Sequence, residues 1–210
     1  MEINAYRDDD FWRLIPAWKD VDCKTFLDHN WQEKNAITNH RKLLETIQSL
    51  VSEDFLADAK MGFKRAPMTT RITPYLLSLM NWKDPVNCPI RRQFLTLASH
   101  LQPDHPMLRF DSLGEQADSP VRGLTHRYED KVLFLALDTC PVYCRYCTRA
   151  YAVGADTEST EKISIKATNE RWKQMFAYLR ENPQVQDVVI SGGDAFRLKP
   201  SQITEIGEQL

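Results

Sequence analysis

Cys140, Cys144 and Cys147 stand in the spacing C-x3-C-x2-C inside TCPVYCRYCTRAYAVG, residues 139–154, so three of the chain's five cysteines fall within eight positions. Three thiolates on one tight loop suit a metal centre. They can hold three corners of an iron–sulfur cubane and leave the fourth iron open to a small ligand. Zinc is the alternative, but a structural zinc site takes four ligands. Here the fourth would have to come from His126 or Cys88, at spacings unlike the common zinc patterns. A structural or redox thiol cluster is the third reading.

The rest of the chain has to position that loop. Its 210 residues, 42% hydrophobic and 27% charged, can build a sizeable core. A net charge of −2 gives no electrostatic reason to expect nucleic acid or an anionic membrane as partner. The longest apolar run, VLFLAL at 132–137, is far short of a bilayer span, and MEINAYRDDDFWRL lacks the order of a signal peptide. These features predict a cytoplasmic protein, where clustered cysteines serve metals or catalysis rather than disulfides.

Residues 1–125 read as a mainly helical region with a connector. Helical periods run over 40–51, 72–82 and 90–101, a loop over 81–89, and a long connector over 102–130. The texture changes at KVLFLALDT (131–139), a continuous apolar run expected of a strand buried on both faces. A helix over 167–182, a second buried strand DVVIS (187–191), the turn GGD (192–194) and a helix from 200, capped by Ser201, follow. This β–loop–α–β–loop–α order over 126–210 predicts an α/β fold opening a parallel sheet or barrel. Ligands in such folds sit at the carboxyl ends of the strands, where both the cysteine loop and the GGD turn fall. The run DDD at 8–10 reads as solvated charge and a helix start, Cys23 and Cys88 as isolated thiols, and His126 as a structural hydrogen-bonder.

The cysteine motif with Tyr146 before its last cysteine resembles the radical S-adenosylmethionine superfamily. SPVRGLTHRYEDKVLFLALDTCPVYCRYCTRAYAVG (119–154) with VQDVVISGGDAF (185–196) closely resembles the lysine 2,3-aminomutase family, and the likeness extends over about residues 30–210. The resemblance implies the first βα units of a partial (β/α) radical-SAM barrel, and a [4Fe-4S] cluster on Cys140, Cys144 and Cys147. It further implies S-adenosylmethionine near Tyr146, Gly192, Gly193 and Asp194. Pyridoxal 5′-phosphate would be held by Arg127 and Tyr128, with Lys131 where relatives often carry arginine, and Arg149 would meet the substrate α-carboxylate. It implies an isomerase moving an α-amino group from C2 to C3, with L-lysine to L-β-lysine first and glutamate second. A flavodoxin or ferredoxin would supply electrons, and the full-length enzyme would be a homo-oligomer.

Two departures bear on this. Ala150, Tyr151 and Ala152 stand where many lysine enzymes carry two more basic residues and then Phe. The family's barrel also needs further βα units, and its Schiff-base lysine lies beyond residue 210. The chain is therefore expected to be an N-terminal fragment that does not complete the reaction alone, with a non-catalytic iron–sulfur or zinc module as the competing class.

Overall fold

The structure, a computed structural model, describes residues 9–210. Asp8 of the acidic run and most of the N-terminal stretch weighed as a leader lie outside them. Asp9 and Asp10 are exposed, and Asp10 precedes a short 3-10 helix, Phe11–Leu14.

The chain forms two compact units. One holds the described residues up to Gln102, with 141–145 and 157–159; the other holds 103–140, 146–156 and 160–210. Residues 103–125, read from sequence with the helical region, group with the second unit.

The first unit contains α1 (Cys23–Leu27), α2 (His29–Lys34), α3 (His40–Ile47), α4 (Glu53–Arg65), α5 (Pro74–Ser78) and α6 (Pro89–Phe94). The caps explain where five of them start. Asp22, Asp28, Asn39, Ser52 and Thr73 each accept a backbone N–H three residues on, satisfying a donor that the first turn leaves open. The helices are shorter than their periodic patterns. The pattern over 72–82 contracts to α5, opened by Pro74 as expected. The pattern over 90–101 ends at Phe94, and an extended step at Leu95 leads to a 3-10 turn, Ala98–His100. Phe26, Leu43, Ile47, Leu77 and Leu95, none with accessible surface, centre the core of this unit. Among the described residues no helix is long and apolar enough to cross a membrane.

The second unit is built on a three-stranded sheet in the order β1 (Leu124–Tyr128), β2 (Lys131–Leu137), β3 (Asp187–Gly192). Two strands were expected. The third, β1, lies inside the predicted connector and pairs antiparallel with β2. The expected parallel pairing holds for β2 and β3, with α7 (Asn169–Glu181) as the crossover and α8 (Pro200–Gln209) after β3. The architecture is thus mixed α/β with a small sheet, and no barrel is formed by the described residues. The cap of α8 is Lys199, whose N–H donates to Gln202 Oε1 at 2.9 Å, rather than the expected Ser201.

β2 is covered on both faces, as its unbroken apolar run predicts. Val132, Phe134 and Ala136 pack with Trp172, Met175 and Phe176 of α7. Leu133 and Leu135 turn to a second cluster with Tyr151, Ala152 and Ile165. The segment after the cysteines is therefore part of the core: Ala150, Tyr151, Ala152 and Val153 are all buried.

Candidate active site

The sheet delivers its loops to one end of the second unit. β2 ends at Leu137, and Thr139 leads into Cys140. β3 ends at Gly192, immediately beside it: Gly193 N–H donates to Leu137 O at 2.7 Å, and Asp194 N–H to Thr139 O at 2.9 Å. The glycines serve this close approach. A Cβ on Gly193 would fall 2.5 Å from the Thr139 carbonyl carbon and 2.7 Å from its nitrogen. Gly192 has φ +130°, and its Cβ would fall 2.9 Å from Leu137 N. Asp194 caps the next 3-10 turn, accepting from Phe196 N–H at 3.0 Å. The Gly-Gly-Asp turn thus fixes where the chain enters the cysteine loop.

Cys140, Cys144 and Cys147 are all half-buried. Cys140 and Cys147 belong to the second unit, and Cys144 to the stretch 141–145 that groups with the first. That stretch is anchored there by Tyr143 N–H donating to Arg71 O and Arg145 N–H to Gln93 O. Among the described residues no three His, Cys, Asp or Glu side chains stand in metal-holding geometry. As donors, three thiols on one loop fit an iron–sulfur cluster. Tyr146 is 62% exposed, so it does not fill a gap in the loop. His126 is the structural hydrogen-bonder expected, with Nδ1 2.7 Å from Tyr178 OH, and Cys88 is buried.

Arg127, Tyr128 and Lys131 line one cavity of about 190 Å³ in the second unit, with Glu115, Thr125 and Val189 among the other walls. The β1–β2 turn explains their convergence, since Tyr128 and Lys131 are register partners across it. Arg127 is held by Asp118, Nε to Oδ2 2.6 Å, and also donates to Leu113 O. The hydrogen bond to Asp118 raises the guanidinium pKa above its ordinary value. Lys131 lies 3.3 Å from Asp130 and 3.9 Å from Asp187.

Sequence reasoning missed the partner of Arg149. Glu115 is 4% exposed and takes that guanidinium from two sides, Nε to Oε2 at 3.0 Å and Nη2 to Oε1 at 2.8 Å. Tyr151 OH donates to Oε2 at 2.7 Å. Burial, and then the Glu115 carboxylate, push the Tyr151 phenol far above its ordinary value, so it stays a proton donor. Arg149 is therefore not a solvated charge. It is a fixed fork whose Nη1 reaches Ser191 Oγ at 3.4 Å, just before the Gly-Gly turn. Lys162, also unforeseen, ties the post-cysteine segment down by donating to Ala150 O at 2.6 Å and Val153 O at 3.0 Å. Burial lowers its ammonium to about 8.

No family model matches the chain. Similarity to curated proteins is extensive. L-lysine 2,3-aminomutase of Bacillus subtilis (strain 168) is 34% identical over 100% of this chain, and that of Clostridium subterminale is 39% identical over 87%. Glutamate 2,3-aminomutase of Clostridioides difficile (strain 630) is 29% identical over 87%. With these relatives behind the motif and the sheet, the chain belongs to the lysine 2,3-aminomutase family. It spans 42%, 41% and 40% of the lengths of those three proteins.

Proposed function

We propose that the protein is a radical S-adenosylmethionine and pyridoxal-phosphate-dependent amino-acid 2,3-aminomutase acting on L-lysine. The observation that carries this reading is one cavity walled by Arg127, Tyr128 and Lys131, whose further wall, Glu115, grips Arg149. An anion-binding wall and an oriented carboxylate-reading arginine are what a phosphate-bearing cofactor and an α-amino acid require together. The names of the relatives support the substrate class.

The chain's own residues have separable tasks. Cys140, Cys144 and Cys147 hold the cluster. Gly192 and Gly193 keep the strand end free of side chains, and Asp194 locks the turn. Arg127, with Tyr128 and Lys131, holds the phosphate; Asp118 and the Leu113 carbonyl fix the Arg127 guanidinium at the cavity wall. Glu115 and Tyr151 fix the plane of the Arg149 guanidinium before a substrate carboxylate arrives, so less freedom is lost on binding. Together the cofactors supply a one-electron route that removes and returns a β-hydrogen while nitrogen moves from C2 to C3. A flavodoxin or ferredoxin as electron donor and a homo-oligomeric whole protein complete the proposal. Glutamate is the second substrate reading. It is supported by the similarity to glutamate 2,3-aminomutase of Clostridioides difficile at 29% identity.

The test is turnover by the protein in its complete reading frame, loaded anaerobically with cluster and pyridoxal phosphate. β-Lysine formed from L-lysine, with kcat/KM falling about 10- to 100-fold in Arg149→Met through the lost charged hydrogen bonds, is the expected result. β-Glutamate alone would move the substrate. Neither product from a cluster-loaded enzyme would contradict the reading.

A further inference from the structure

A second cationic site lies in the first unit, and of its residues only Arg145, between Cys144 and Cys147, belongs to the cysteine loop. α6 carries Arg91 and Arg92 side by side. Arg91 is 1% exposed, and its guanidinium is fixed by neutral acceptors: Nε donates to Pro85 O at 2.7 Å, Nη1 to Leu95 O at 3.2 Å, and Nη2 to Val86 O. His100 Nδ1 stands 3.4 Å from the same Nη2. Arg92 donates to Val86 O at 3.3 Å and to Asn87 Oδ1 at 3.2 Å. Arg145 is brought to this helix by its backbone bond to Gln93 and by Nε donating to Arg92 O at 3.0 Å.

The three arginines, His100, Thr96 and Ser99 line one cavity of about 350 Å³. No carboxylate lines it, and none of the three arginines forms an ion pair among the described residues. The nearest carboxylate, Asp58, stands behind the wall, accepting from Ser99 N–H and Ser99 OH, and offsets part of the charge of Arg91 and His100. The cations work against one another: burial, then Arg92, lower the Arg91 pKa, and burial, then Arg91 and Arg92, lower that of His100. Packing like charges into a partly desolvated cleft is costly unless an anion occupies it.

We propose that this cleft binds a small phosphate-bearing molecule. The guanidinium groups of Arg92 and Arg145, with the buried charge of Arg91 behind them, match the charge and several acceptor oxygens of a phosphate better than the single charge of a monocarboxylate. The concave floor formed by buried Arg91, Leu95 and Leu97 suits a compact ligand rather than the flat face of an acidic protein. Because Arg145 is shared with the cysteine loop, Arg92→Ala is the variant that tests the cleft apart from the aminomutase reading.

Calorimetric titration with inorganic pyrophosphate, at ionic strength held constant with sodium chloride, tests this. Saturable binding is expected, weakened about tenfold or more in each of Arg92→Ala and Arg145→Ala and unchanged in Lys60→Ala, an exposed residue on α4. Arg92→Lys and Arg145→Lys, which keep the charge and lose the fork, should fall in between and guard against misfolding in the alanine variants. Absence of saturable binding, equal affinity across the variants, or stronger binding of polyglutamate than of pyrophosphate would overturn the proposal, the last pointing to an acidic protein instead.

Discussion

Arg171→Met is expected to destabilise the second unit by about 3–5 kcal/mol, a loss typical of a broken buried network. Arg171 sits in the first turn of α7, where a cation opposes the helix dipole, so the helix itself gains nothing from it. Its guanidinium instead donates to Lys166 O at 3.0 Å, Leu135 O at 2.7 Å, Ala136 O at 2.7 Å and Ile165 O at 2.8 Å. One side chain thereby joins the middle of β2 to the segment entering α7. Ala136 O keeps the Trp172 indole N–H at 3.0 Å, while each buried carbonyl left without a donor costs about 1–3 kcal/mol. Relief of the desolvated cation, whose pKa burial lowers to about 10, returns part of that sum. Amide hydrogen exchange of β2 and α7 at increasing urea measures the difference. Lys173→Met, at an exposed position on the same helix, should change stability by less than about 0.5 kcal/mol. A loss below about 1 kcal/mol in Arg171→Met would show that water replaces the guanidinium and that the staple is dispensable.

Gly193→Ala is expected to cost about 2–4 kcal/mol and to disturb the cysteine loop as well. The new methyl would meet backbone of Thr139 on the opposing strand end, not a side chain that can swing away. Relief requires parting β3 from β2 where Gly193 N–H and Asp194 N–H bind Leu137 O and Thr139 O. Because Thr139 is next to Cys140, the strain enters the cysteine loop directly. Gly207→Ala is the control: nothing lies within 4 Å of its added Cβ, and it sits inside α8, where alanine is the better helix former. Unfolding midpoints and iron content after reconstitution should both fall in Gly193→Ala and both hold in Gly207→Ala. Normal iron content in Gly193→Ala would separate the turn from the loop.

The residues that carry short-range patterns were legible in the sequence. The apolar run 132–137 announced a strand covered on both faces, and VLFLAL is indeed shared between two clusters. The cysteine spacing stands out because its information is confined to eight positions. What stayed hidden depends on long-range pairing. β1 is five residues long and buries only Leu124 and Thr125, so LTHRY carries too little alternation to stand out from a connector. Glu115 looked like one more acid in a polar stretch, because its partners Arg149 and Tyr151 lie 34 and 36 residues away. Arg171 drew no notice for the same reason, its acceptors on β2 being 36 and 35 residues upstream. The turn glycines were noticed as room for a ligand, while their immediate neighbour is the chain's own backbone.

The central claim is that the three cysteines hold a cluster with one iron open to S-adenosylmethionine. The direct measurement is electron paramagnetic resonance after anaerobic reconstitution with iron and sulfide and reduction by dithionite, recorded with and without S-adenosylmethionine. A reduced [4Fe-4S] signal that shifts on adding S-adenosylmethionine, and is lost in Cys140→Ala, Cys144→Ala and Cys147→Ala, is the predicted result. Bound zinc in place of iron, or a cluster signal indifferent to S-adenosylmethionine, would contradict it.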